Sequence, residues 1–196
     1  DWETAFSQNV KENKEMVDLS LSHIDGSHTP AYRGGEKVEY KAGEASHDKR
    51  SLFRGQAATA IGHIRASERQ PHDLFEINDR IDEISAQLST SGIAVDGLFS
   101  NLDAGFDGDN LRIALDSHGI ISNVCPNIRN GTDSSEIYLF DEEMYRERWI
   151  VERTNAWMDG IKAVLIRFDT TISSWKGWNF LAFLVIFLKK FHNSQK

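Results

Sequence analysis

With 196 residues the chain is long enough to bury one sizeable core but not two, so a single domain over 1–196 is expected. Its 40% hydrophobic and 27% charged residues match an ordinary soluble globular protein, and the lone Cys125 excludes an internal disulfide and suits a reducing compartment. The net charge of −8 argues against a uniformly basic nucleic-acid binder, yet residues 33–69 carry eight Lys/Arg against five Asp/Glu, 70–143 three against fifteen, and 144–196 nine against four.

Residues 1–16 are polar and lack the apolar run of a secretory signal; 8–16 predict a short polar helix. "VDLSLSHIDGSHTPAY" alternates Val17, Leu19, Leu21 and then Ile24, which predicts a strand ending near Asp25. Residues 33–72 hold a turn signal at Gly34-Gly35 and only short apolar runs, at Leu52-Phe53 and Ala57–Ile61, so two weak strands are expected. In "DLFEINDRIDEISAQLS", residues 73–89, Leu74, Ile77, Ile81, Ile84 and Leu88 recur at helical steps, with Gly92 as the stop. "IAVDGLF" follows as a strand. "DGDNLRIALDSHG" reads as a helix with an Asp/Asn start and Gly119 as its end. "IISNVCP" is a further short strand, "NIRNGTDSS" a loop, and "EIYLFDEEM" leads into a long helix.

"WNFLAFLVIFL", residues 178–188, is uncharged but spans only eleven residues, where a membrane helix needs about twenty. A helix buried inside the domain is expected, and no membrane partner. Strands alternating with helices suggest an α/β sheet.

Three carboxylate positions carry the chemical argument. In "YRERWIVERTNAW", about 100° per residue puts Tyr145, Arg148, Trp149, Glu152 and Ala156 on one helical stripe. Ile150, Val151, Trp157, Met158, Ile161, Val164, Leu165 and Phe168 form the opposite face. On the helix alone, Glu152 reads as a solvated carboxylate paired with Arg148, worth a few tenths of a kcal/mol. In "NLDAGFDGDN", a calcium loop counted from Asp103 fails, because Gly105 and Ala114 fall where ligands are needed. A turn with a helix N-cap accounts for Asp107 or Asp109, but not for Asp103. Asp25, beside Gly26, is by itself an ordinary turn carboxylate. His23 and His28 match no zinc spacing and read as surface or hydrogen-bonded histidines, as do His47, His63 and His72. Cys125, before Pro126, reads as buried. No phosphate loop, dinucleotide fingerprint or nucleophile elbow is present.

Together these segments resemble the DDE transposases of bacterial insertion sequences. Tyr145, Arg148 and Glu152 match the Tyr-x2-Arg-x3-Glu-x6-Lys signature of the third-acid helix, followed by "ERTNAW"; the signature lysine position is Asp159, with Lys162 one turn later. "LFSNLDAGFDGDNLR" is similar to the family's second-acid segment, and "HIDGSHTPAYRGGEKVEY" to that of the first acid. The resemblance covers roughly 17–40 and 73–191, while 41–70 matches poorly, and the family's N-terminal DNA-binding region is expected to be missing here. What it implies is an α/β, RNase H-like mixed β-sheet flanked by helices, with Asp25, Asp103 and Glu152 as catalytic and metal-ligating residues. Tyr145 and Arg148 would be auxiliary. It further implies two Mg²⁺ ions (or Mn²⁺), transposon-end and target DNA as partners, a homo-oligomer when active, and a bacterial cytoplasmic, nucleoid-associated setting. A remnant that only binds DNA or a full-length partner is the alternative.

Overall fold

A computed structural model describes residues 1–33, 35–36, 47–55, 60–64, 74, 76–127 and 139–194. Its sheet is mixed and five-stranded, in the order β3-β2-β1-β4-β5: β1 Ser22–Pro30, β2 His47–Gly55, β3 Ala60–Ile64, β4 Phe99–Leu102 and β5 Ile121–Val124. β1 runs antiparallel to β2 from Ser22↔Gly55 to Pro30↔His47, and β2 antiparallel to β3. On its other edge β1 is parallel to β4, through Ser22↔Ser100 and His23↔Asn101, and β4 is parallel to β5. The helices are α1 Trp2–Glu12, α2 Ile77–Thr90, α3 Asp109–Ser117, α4 Glu142–Tyr145, α5 Trp149–Asp159, α6 Lys162–Leu165 and α7 Ile172–Ser194.

β1 begins and ends later than the apolar alternation suggests. Val17 and Leu19 pack against the core from a loop, and Asp25 lies inside the strand rather than at its end, because the β2 ladder carries the pairing on to Pro30. The strand expected over 93–99 is also displaced. Gly97 takes φ +83°, and its N–H donates to Gly119 O at 2.8 Å, so Ile93, Val95 and Leu98 meet the core from a turn and pairing starts only at Phe99. Two strands do lie within 33–72; residues 34, 37–46, 56–59 and 65–73 fall outside the described set, as do the start of the 73–89 segment at 73 and 75 and the loop from 128 to 138.

Helix boundaries follow local chemistry. The first helix starts at Trp2, not at residue 8, because the Asp1 carboxylate accepts the Thr4 N–H at 2.8 Å as an N-cap. α2 and α3 end alike: Gly92 (φ +75°) and Gly119 (φ +70°) turn left-handed, and the following amides donate back, Ile93 to Leu88 O at 3.0 Å and Ile120 to Leu115 O at 2.9 Å. A Cβ on Gly119 would overlap the Asp96 carboxylate. α3 begins at Gly108 without a side-chain cap; Asp107, expected there, is ion-paired with Arg112 at 2.8 Å, and Asp109 sits in the first turn. The long helix around Glu152 is segmented: a 3₁₀ turn at Arg146–Arg148 separates α4 from α5, and the chain leaves the helix at Gly160. The broad face drawn through Ile161, Val164, Leu165 and Phe168 therefore does not exist as one surface; Trp157, Leu165 and Phe168 are exposed.

Alternate residues Ile24, Leu102 and Val124 of the sheet join a hydrophobic cluster with Ile81, Ile84 and Leu88 of α2, Leu111 and Leu115 of α3, and Phe180, Phe183 and Phe187 of α7. Phe6 of α1 completes it, its ring centroid 6.0, 5.9 and 6.3 Å from those of Phe180, Phe183 and Phe187. Each such buried ring contributes about 1.5–3 kcal/mol by leaving water, so packing rather than propensity holds α1 in place. α7 is thus a core helix, as its composition predicts, and no described helix is long and apolar enough to cross a membrane.

Candidate functional site

Strand alternation turns the neighbours of the apolar residues to the other side of the sheet. There, His23, Asn101 and Asn123 form a cross-strand row on β1, β4 and β5, and all three are buried. Buried amides must be satisfied, and these are used to dock a chain segment. Asn123 Nδ2 donates to Asn101 Oδ1 and to Asp141 O, both at 2.8 Å, and Asn123 Oδ1 accepts the Asp141 N–H at 2.8 Å. Asn101 Nδ2 donates to Met144 O at 2.7 Å and lies 3.4 Å from His23 Nδ1. The amide row thereby fixes the start of α4, where Asp141 also caps the helix by accepting from Met144 N–H at 2.9 Å.

Two residues further along each strand comes a second row. Pairing of β1 with β4 ends at His23↔Asn101; two residues beyond it on either segment lie Asp25 and Asp103, also 78 positions apart, and both carboxylates approach the Arg148 guanidinium. Asp103 follows the last residue of β4 in extended conformation and, against the expectation that a turn and cap would not account for it, caps the 3₁₀ turn Ala104–Phe106 by accepting the Gly105 N–H at 2.8 Å. The corresponding position on β5 is Cys125, which is partly rather than fully buried.

α5 closes over this row. Arg148 reaches both acids, Nη2 lying 3.4 Å from Asp25 Oδ1 and 3.8 Å from Asp103 Oδ2. Asn155, two turns along, donates from Nδ2 to Asp25 Oδ2 at 2.7 Å. Both oxygens of Asp25 are therefore held, one from the 3₁₀ turn ahead of α5 and one from α5 itself, and its side chain is only 14% exposed against 38% for Asp103. Tyr145 stacks beside Arg148, whose guanidinium carbon is 5.6 Å from the ring centroid, and edge-on to Phe140 at 5.1 Å. Burial pushes the Tyr145 hydroxyl up to about 12; Arg148 pulls against this, while Cys125 and Asp103 add to the rise. The phenol is accordingly a neutral hydrogen-bonding group here.

Of the expected acids, Asp25 and Asp103 meet around one cationic group. Glu152 lies on α5 between Arg148 and Asn155 in sequence, with an exposed side chain, and its expected partner Arg148 has turned to the strand carboxylates instead. Among the described residues no three His, Cys, Asp or Glu side chains lie together closely enough to hold an ion. The donor chemistry of the pair nonetheless fits a hard divalent cation: two carboxylates already face a single positive charge.

Asn101, Asn123 and Asn155 escape a reading of the sequence, and His23, read as a surface or hydrogen-bonded residue, is fully buried. The signal was there as a period of two. His23-x-Asp25, Asn101-x-Asp103 and Asn123-x-Cys125 each alternate with a residue of the apolar cluster, Ile24, Leu102 or Val124.

No protein-family model and no curated protein matches the sequence. Among solved structures, the chain is similar to one in the piggyBac transposase synaptic complex with hairpin DNA, with TM-score 0.53, 10% identity and coverage of 92% of this chain and 49% of that one. It is also similar to a chain of the simian T-cell lymphotropic virus intasome in complex with PP2A regulatory subunit B56 gamma, with TM-score 0.51, 9% identity and coverage of 84% and 48%. At these identities the shared property is the fold, and the chain spans about half the length of each. The fold is transposase-like.

Proposed function

We propose that this chain is the catalytic domain of a DDE-type DNA transposase, built on an RNase H-like sheet, which cuts transposon-end phosphodiesters and joins the freed end to target DNA. One observation carries the reading: Asp25 of β1 and Asp103, just past the end of the adjacent parallel strand β4, both approach the Arg148 guanidinium, with α5, the bearer of Glu152, starting at the next residue. Asp25, Asp103 and Glu152 are the residues that would hold two Mg²⁺ ions, or Mn²⁺. Bound ions of this kind stabilise negative charge on the attacking and leaving oxygens of a phosphodiester. The residues of the chain supply the rest. Asp25 is aimed by Asn155 and Arg148, Tyr145 offers a neutral hydroxyl beside Arg148, and Arg148 supplies a guanidinium suited to a phosphate. DNA ends and target DNA are the partners, and two ends imply a homo-oligomer in the active assembly.

The test is Mg²⁺- or Mn²⁺-dependent nicking of DNA bearing the ends of the element that encodes the chain. Asp103→Ala is expected to lower nicking by more than about a hundredfold, beyond what loss of an outer-shell contact costs. Equal nicking by both proteins would refute the assignment.

A second reading has its own observations. Glu152 is exposed, and Asp159 stands where the signature has lysine. A transposase-derived chain that binds DNA or a full-length partner without cutting would show salt-sensitive association and no divalent-dependent nicking.

A further inference from the structure

The two contacts on Asp25 differ in kind. Asn155 is neutral and reaches Oδ2 at 2.7 Å, a normal hydrogen bond. Arg148 is charged, its distances to Asp25 and Asp103 are long at 3.4 and 3.8 Å, and its Nη1 is buried without an acceptor. The guanidinium makes one long hydrogen bond, to Asp25, and only a charge contact to Asp103, and it lies within reach of both carboxylates, where a divalent cation would sit. Positive groups cannot share that position, whereas an amide on the outer oxygen of Asp25 can stay while the other oxygen turns to an ion.

We propose that Asn155 is a positioning residue that keeps Asp25 aimed at the cation position, and that Arg148 is an internal counter-charge which an arriving divalent cation displaces. The displaced guanidinium then stands beside the ion, free for an anionic oxygen of DNA. This inference rests on reading Asp25 and Asp103 as ion ligands.

The two halves predict shifts of opposite sign, read without DNA. Mn²⁺ binding to the whole chain is followed by the electron paramagnetic resonance signal of the free ion. Arg148→Gln removes the competitor, so affinity rises by about tenfold, as when any occluded state is removed. Asn155→Ala lets Asp25 swing, so affinity falls by about tenfold. Asn155→Gln, which keeps an amide donor, recovers at least part of the loss and guards against a folding defect in the alanine variant. In a separate Mg²⁺ titration of the wild type, the Arg148 Nε–H resonance, assigned by its absence from Arg148→Gln, shifts in step with ion binding. Wild type that binds Mn²⁺, with both variants shifted in the same direction or not at all, would overturn this inference and leave the functional reading standing. A wild type that binds no Mn²⁺ would overturn both.

Discussion

The two sides of β1, β4 and β5 are buried to a similar degree and do opposite work. Ile24, Leu102 and Val124 belong to the apolar cluster, whereas on the other side Asn101 and Asn123, equally hidden from water and flanked by buried His23, hold the segment from Asp141 to Met144 by directed bonds. Apolar contact is tolerant of angle, so the first side contributes stability but little precision. An amide buried without its partner is costly, so the second side specifies where α4 and α5 must lie. The carboxylate pair sits on the specified side.

Three measurements sharpen or break this contrast. Phe183→Ala, at the centre of the aromatic cluster, is expected to cost about 3–5 kcal/mol in denaturant unfolding; a cost under about 1 kcal/mol would mean that α7 is not a core helix. Asn123→Leu keeps volume but strands Asn101 Oδ1 and both backbone groups of Asp141. Its expected cost is smaller, about 1–3 kcal/mol, and it should be accompanied by faster hydrogen exchange at Asp141 and Met144. Unchanged exchange there would show that the amide row does not anchor α4. The smallest effect concerns Tyr145. Its neutral form is favoured in the fold, so between the ordinary value of 10.0 and about 12 the unfolded chain gives up this proton while the folded chain keeps it. The contribution is complete below the ordinary value and is lost as pH rises through that window. Thermal melts of Tyr145→Phe should therefore fall less steeply across it than those of the wild type; parallel slopes would place the hydroxyl in water.

Much of this arrangement was legible from residue patterns. The helical spacing of Ile77, Ile81, Ile84 and Leu88 leads to α2, Gly92 and Gly119 mark where two helices end, and the apolar run at 178–188 belongs to a core helix. Asp25 and Asp103 drew notice through their flanking residues, and in the fold both approach Arg148. Other features depend on tertiary partners that no local pattern encodes. Ile93 and Val95 are apolar enough for a strand, but the Asp96-Gly97 turn against Gly119 interrupts the segment, and its first bond toward β5 is from Ile121 N–H to Leu98 O. Arg148 and Glu152 have ideal spacing for a helical ion pair, yet a partly buried carboxylate on a neighbouring strand competes better for a guanidinium than an exposed one on its own helix. A lone Asn within a short strand is ambiguous until the segment that it grips is known, which is why Asn101 and Asn123 passed unremarked.

The strand pairing carries a rule of parity. Because side chains change sides at every step, one residue gained or lost in β4 ahead of Asn101 would deliver Leu102 to the site and send Asp103 into the grease. Connections between elements are free to lengthen one residue at a time, but within these strands only changes in twos leave the chemistry facing α5. Length variants scattered through the loops, and absent or even-numbered in β1, β4 and β5, would be the mark that selection leaves on such a sheet.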